Sequence, residues 1–114
     1  MKTVKSLTLA GALLLLSAAA APGANAACFE SGVGCTNDHA MPTAVLRTLG
    51  CEPLWTVRNT IYHEHGYCFR TARAQAVFSN DGCSVTDASK LDLNGFERTN
   101  IARIVKVERQ KGCH

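Results

Sequence analysis

The chain has 114 residues, with twelve Lys and Arg against nine Asp and Glu, a formal charge of +3, and six cysteines. That length allows one small domain, whose modest core calls for covalent staples. A charge this close to balance gives no argument for nucleic acid or an acidic membrane surface as partners.

The first 26 residues have the layout of a processing segment. Lys2 and Lys5 precede the charge-free run LTLAGALLLLSAAAA at 7–21, and Ala24-Asn25-Ala26 offers small residues at cleavage spacing. The run is short for a membrane span and no stop-transfer pattern follows, so a secretory signal peptide over 1–26 is expected, and with it a periplasmic or secreted protein. The alternative is a lipid anchor on Cys28, but Asn25-Ala26-Ala27 lacks the large aliphatic residue such a site carries. Without Lys2 and Lys5 the remaining 88 residues hold ten basic and nine acidic side chains, a charge near +1. No membrane span and no nucleic-acid partner are expected after cleavage, and the protein is expected to be a monomer.

Cys28, Cys35, Cys51, Cys68, Cys83 and Cys113 all follow the signal segment. An even number in a small exported chain reads as a disulfide framework, with fifteen pairings open to six cysteines. No Cys-x-x-Cys occurs, which weakens a zinc reading.

Residues 27–52 read as an irregular N-terminal arm, with turn formers at Gly32, Gly34, Asn37 and Pro42. Cys28 and Cys35 are spaced to close a small local loop, and 43–49 has room for one or two helical turns before Gly50. A helix is expected over 53–65, with Pro53 at its first position, Glu52 at the positive end of its dipole, and Gly66 as its stop. Leu54, Val57 and Ile61 form its apolar stripe, flanked by Trp55 and Tyr62. After a short extended piece at 67–69, Thr71 caps a second helix over 72–79, and Asn80-Asp81-Gly82 turns the chain. Asn94 with Glu97 has the form of a capping box, opening a helix over 95–111 with Ile101, Ile104 and Val105 inward and Gly112 beyond its end. The expected class is all-α, a small disulfide-stapled bundle of about three helices occupying 53–113.

His63-Glu64-His65 is the one stretch that resembles a metal or catalytic site. On a helix, residues two apart point roughly 160° away from each other, whereas chelation wants a separation of three or four. A metal-binding or metal-dependent activity through His63 or His65, with His39 or His114 as further ligand, is therefore the secondary reading. On the same wheel His65 and Arg58 fall on the buried stripe and His63 faces solvent. His65 is expected to bond backbone or a carboxylate at the helix end, and Arg58 to pair with Glu97 or Glu108 on the last helix. Ser79, Ser84 and Ser89 lie in polar turns without a nucleophile motif, and paired cysteines are not nucleophiles. No catalytic residue, metal or cofactor is expected.

The stretch LWTVRNTIYHEHGYCF, the following VFSN, and LNGFERTNIARI together resemble the YARHG domain, a presumed extracellular bacterial module named for a Tyr-Ala-Arg-His-Gly motif. Here the motif region is Tyr62-His63-Glu64-His65-Gly66, with His63 in place of Ala and Glu64 in place of Arg. Trp55, Arg58, Asn59 and Phe69 fit as well, as do Asn94, Glu97 and Asn100 downstream. The resemblance covers about residues 53–108. It implies an exported module and carries over no catalytic residues, and the six cysteines lie outside its motif.

If helices 53–65 and 95–111 pack antiparallel, Cys51 meets Cys113, Cys68 pairs with Cys83 across the second helix, and Cys28 is left for Cys35. The expected role is a non-catalytic binding or structural module of the bacterial envelope. Its expected binding surface is His63, Glu64, Arg70 and Arg73, and its partner an envelope or extracellular protein, peptide or glycan.

Overall fold

A computed structural model of the protein describes residues 27–29 and 33–114; the expected signal segment lies outside them. Among the described residues there are four α-helices: α1 (Thr43–Thr48), α2 (Cys51–Glu64), α3 (Ala72–Val77) and α4 (Gly95–Lys111). A single 3-10 turn spans Ala88–Lys90. Two short strands, β1 (Cys28–Phe29) and β2 (Gly34–Cys35), pair antiparallel with Cys28 opposite Cys35. The small sheet makes the all-α expectation approximate. No helix among the described residues is long and apolar enough to cross a membrane.

Helix α2 starts at Cys51, two residues earlier than Pro53. The proline sits inside the first turn, where its missing N–H would have had no helical partner. The helix ends as the sequence suggests. Gly66 takes φ +79, its N–H bonds the His63 carbonyl at 3.1 Å, and the Tyr67 N–H bonds the Tyr62 carbonyl at 3.1 Å. This is a Schellman closure, and the side-chain contact that accompanies such closures is made by the Tyr62 and Tyr67 rings, 5.7 Å apart. Helix α4 closes in the same way at Gly112 (φ +67), with Cys113 N–H on the Glu108 carbonyl at 2.9 Å. Its start is a complete capping box: Glu97 N–H to Asn94 Oδ1 at 2.9 Å, and Asn94 N–H to Glu97 Oε1 at 3.0 Å.

The main core joins Val33, Met41, Leu46, Leu54, Val57, Ile104 and Val107 between α1, α2 and α4. Val107 takes the inward place expected of Ile101 and Val105, which are only half-buried. The described part of segment 27–52 is built into this core. Val33, Met41 and Leu46 are at most 1% exposed. Asn100, fully buried on α4, pins that segment: it accepts the Met41 N–H at 2.7 Å and donates to the Thr36 and His39 carbonyls at 2.9 and 3.0 Å. Arg103 adds a bond to the Met41 carbonyl at 2.8 Å.

Three disulfides close the fold: Cys28–Cys35, Cys51–Cys113 and Cys68–Cys83, the pairing that the helix order implied. The Cys28 sulfur, which a lipid anchor would need, is bonded to Cys35.

Candidate functional site

Helices α2 and α4 run antiparallel, held by three clasps from α2 residues seven apart. Seven residues is close to two turns, so Cys51, Arg58 and His65 share one stripe. Cys51 bonds Cys113 at one end. In the middle, Arg58 donates to Glu108 through both Nε (2.7 Å) and Nη2 (3.1 Å). At the other end His65 Nε2 lies 2.6 Å from Glu97 Oε2; the carboxylate only accepts, so the ring nitrogen donates.

Of the two acids offered to Arg58 by sequence, the structure uses Glu108. Glu97 has other work: one oxygen completes the α4 capping box and the other holds His65 at the α2 terminus. Burial opposes the Arg58 charge, but the Glu108 hydrogen bond and charge outweigh it, aided by Tyr62, so the guanidinium is held above its ordinary value. The histidine, tyrosine and glycine of Tyr62–Gly66 thus finish one helix and fasten it to the next.

His63 is exposed, as expected, yet its ring rests on aromatic carbon, 5.4 Å from Phe78 and 6.4 Å from Phe69 between centroids. His65 is half-buried and turned to Glu97. The two histidines do not converge, and among the described residues no three His, Cys, Asp or Glu side chains are grouped to hold a metal ion. Desolvation raises the Glu64 carboxyl above the usual range, the Glu97 charge adds to this, and His65 and His63 oppose it.

The expected surface of His63, Glu64, Arg70 and Arg73 is divided among neighbouring hollows. His63 and Glu64 border a hollow of about 250 Å³ beside Ser79 and Asp81. Arg73 lies 4.0 Å over the Trp55 ring, a cation–π contact, and pairs with Glu52. Arg70 belongs to a groove of about 360 Å³ between α2 and the chain from Tyr67 to Ala74.

Of the hollows that the expected surface borders, that groove is the one richest in aromatic walls. Its walls include Trp55, Tyr62, Tyr67 and Phe69, with Arg58, Asn59, Arg70 and Thr71 supplying polar atoms; among the described residues no carboxylate lines it. Behind it a second apolar cluster of Phe69, Ala74 and Phe78 packs under Trp55, Tyr62 and Tyr67. The Cys68–Cys83 bridge and the bonds of Asn80 to both backbone atoms of Phe69, at 2.8 and 3.0 Å, hold the 67–69 wall in place. Asn59, buried, donates to the Trp55 carbonyl at 2.8 Å and so is fixed by its own helix. Tyr67 and Phe78 were missed as members of this assembly. The available signal was composition: five of the seven aromatic residues fall between positions 55 and 78.

Comparison with known families bears on the whole of this architecture. A family profile described as the YARHG domain matches residues 32–109. No curated protein and no solved structure matches the chain. The match begins well ahead of Pro53, in keeping with the core residues contributed by 33–49. It spans more than half of the 114 residues and takes in all of α2 and all but the end of the last turn of α4, so the chain belongs to the YARHG domain family.

Proposed function

We propose that this protein is an exported, monomeric, non-catalytic binding module of the bacterial envelope, and that it binds through the aromatic groove beside α2. The observation that carries the reading is the groove's composition: among the described residues it has aromatic walls, two guanidinium groups and no carboxylate in the lining. Small-ligand and segment-binding sites are built this way, from apolar surface with a few placed polar groups. His65 is held by Glu97, and none of the six cysteines is free. Export is supported by the leader-like first 26 residues, by the three disulfides and by the family.

Retention of the labelled oxidised protein on isolated bacterial envelope material tests this. The wild type is expected to be retained, and Arg70→Glu, an exposed groove residue, to lose most of that retention at an unchanged melting temperature. Equal retention of the two, or no retention of the wild type, would count against it.

A further inference from the structure

We infer that the ligand of the groove is an acidic saccharide, held by ring faces and by a carboxylate on Arg70; this rests on the groove being the binding site. The choice among ligand classes comes from what the lining atoms are free to do. A peptide that adds as a β-strand is recognised through its main chain and needs an open strand edge. The amides of the 67–69 wall are all taken. Helix α2 uses its own carbonyls and amides. In the facing wall, Tyr67 N–H bonds Tyr62, Cys68 N–H bonds the Val85 carbonyl at 2.8 Å, and both backbone atoms of Phe69 are taken by Asn80. An added strand therefore finds no amide to pair with along 67–69, and the polar side chains of the lining are left to do the recognition.

Those side chains are rings together with planar or hydroxyl polar groups. Tyr62 and Tyr67 sit 5.7 Å apart, and Asn59 and Thr71 stand beside them on the lining. Aromatic faces suit the C–H faces of pyranose rings, while amide, hydroxyl and guanidinium groups suit ring hydroxyls. A volume of about 360 Å³ falls in the lower part of the range for small-ligand sites, enough for a short saccharide and not for a folded partner.

Charge sets the rest. Both charged residues of the lining are arginines. Arg58 is neutralised by Glu108 through Nε and Nη2, leaving Nη1 outside that pair. Arg70 is exposed and donates to the Thr86 carbonyl at 3.1 Å; among the described residues it forms no hydrogen-bonded carboxylate pair. The acid that feels its charge, Asp87, is committed to capping the 3-10 turn through Ser89 at 2.7 and 3.0 Å. An incoming carboxylate thus completes Arg70 with a charge-assisted bond.

The test is titration of the oxidised protein with trigalacturonic acid, maltotriose and triglutamate, followed by calorimetry and by ¹H–¹⁵N spectra. Trigalacturonate is expected to bind with a Kd of roughly 1 mM or tighter and to shift the Trp55 indole and the Tyr67 and Arg70 amides. Arg70→Gln should weaken it about tenfold or more without changing the melting temperature, and maltotriose should bind about as weakly to the wild type. Equal affinity for maltotriose, indifference to Arg70→Gln, or no binding of trigalacturonate overturns the inference. Binding of triglutamate alone at the same residues also overturns it, while leaving the wider binding reading to stand or fall on envelope retention.

Discussion

Arg58 and Glu108 form a bidentate pair with side chains only 22% and 13% exposed, and three substitutions separate its charge from its volume. Arg58→Ala leaves the Glu108 carboxylate in a poorly solvated site without its guanidinium. Breaking a fully buried pair costs about 3–5 kcal/mol, and this degree of exposure points to the lower end, about 3 kcal/mol. Arg58→Met leaves the same carboxylate unpaired but restores roughly 60 Å² of apolar contact, about 1.5 kcal/mol, so its net cost is about 1.5 kcal/mol. Arg58→Met with Glu108→Leu removes both charges and is expected within about 1 kcal/mol of wild type. Urea and thermal unfolding of the oxidised protein at pH 7, followed by circular dichroism, gives the three values. At about 4–8 °C per kcal/mol for a domain of this size, Arg58→Ala should lower the melting temperature by roughly 15 °C. The reasoning is refuted if all three variants lie within about 0.5 kcal/mol of wild type, or if the double variant is as unstable as Arg58→Ala.

Gly66→Ala places a Cβ at φ +79 and should cost about 1–2 kcal/mol, whereas Gly95→Ala, whose Cβ meets nothing within 4 Å, should be neutral or slightly stabilising; a pair of melts decides. Asn100→Ala strands the Met41 amide and the Thr36 and His39 carbonyls, so it should cost at least about 3 kcal/mol and speed hydrogen exchange through 36–41. His39 presents Nδ1 to Asp38 and Nε2 to the Val33 carbonyl, an arrangement satisfied in full only by the protonated ring, and the Asp38 bond raises its pKa despite desolvation. Because the folded pKa is raised, the stabilisation is present below the ordinary histidine value and is lost as pH rises through the folded one. NMR titration should show the His39 ring titrating above its ordinary value and Asp38→Asn bringing it back down.

Much of the fold was legible because its boundaries are set by local chemistry. Asn94, Glu97 and Gly112 delimit α4, and Gly66 stops α2, through bonds reaching only a few residues along the chain. Of the disulfides, Cys51–Cys113 followed from antiparallel helices, Cys68–Cys83 from their places on either side of the second helix, and Cys28–Cys35 as the remaining pair. The inward face of α4 was harder to place. Glu97, Asn100, Ile104 and Val107 are its buried residues, and two polar members on that stripe turn the apolar pattern toward Ile101 and Val105. The role of 27–52 had no local signal, since Asn100 meets that segment 59 to 64 residues away in sequence. The groove was half legible. Arg70 was marked as surface and Trp55, Tyr62 and Phe69 as motif, but a turn fixed by Cys68–Cys83 and Asn80 is what brings them together.

The central structural claim is that the histidine of the family motif fastens α2 to α4 through Glu97. A double-mutant cycle of His65→Ala and Glu97→Ala, read as unfolding free energy at pH 7, tests it most directly. A charge-assisted bond with the histidine 27% exposed predicts a coupling of about 1.5 kcal/mol, with Glu97→Ala the costlier single change because it also breaks the α4 capping box. A coupling indistinguishable from zero would contradict the account.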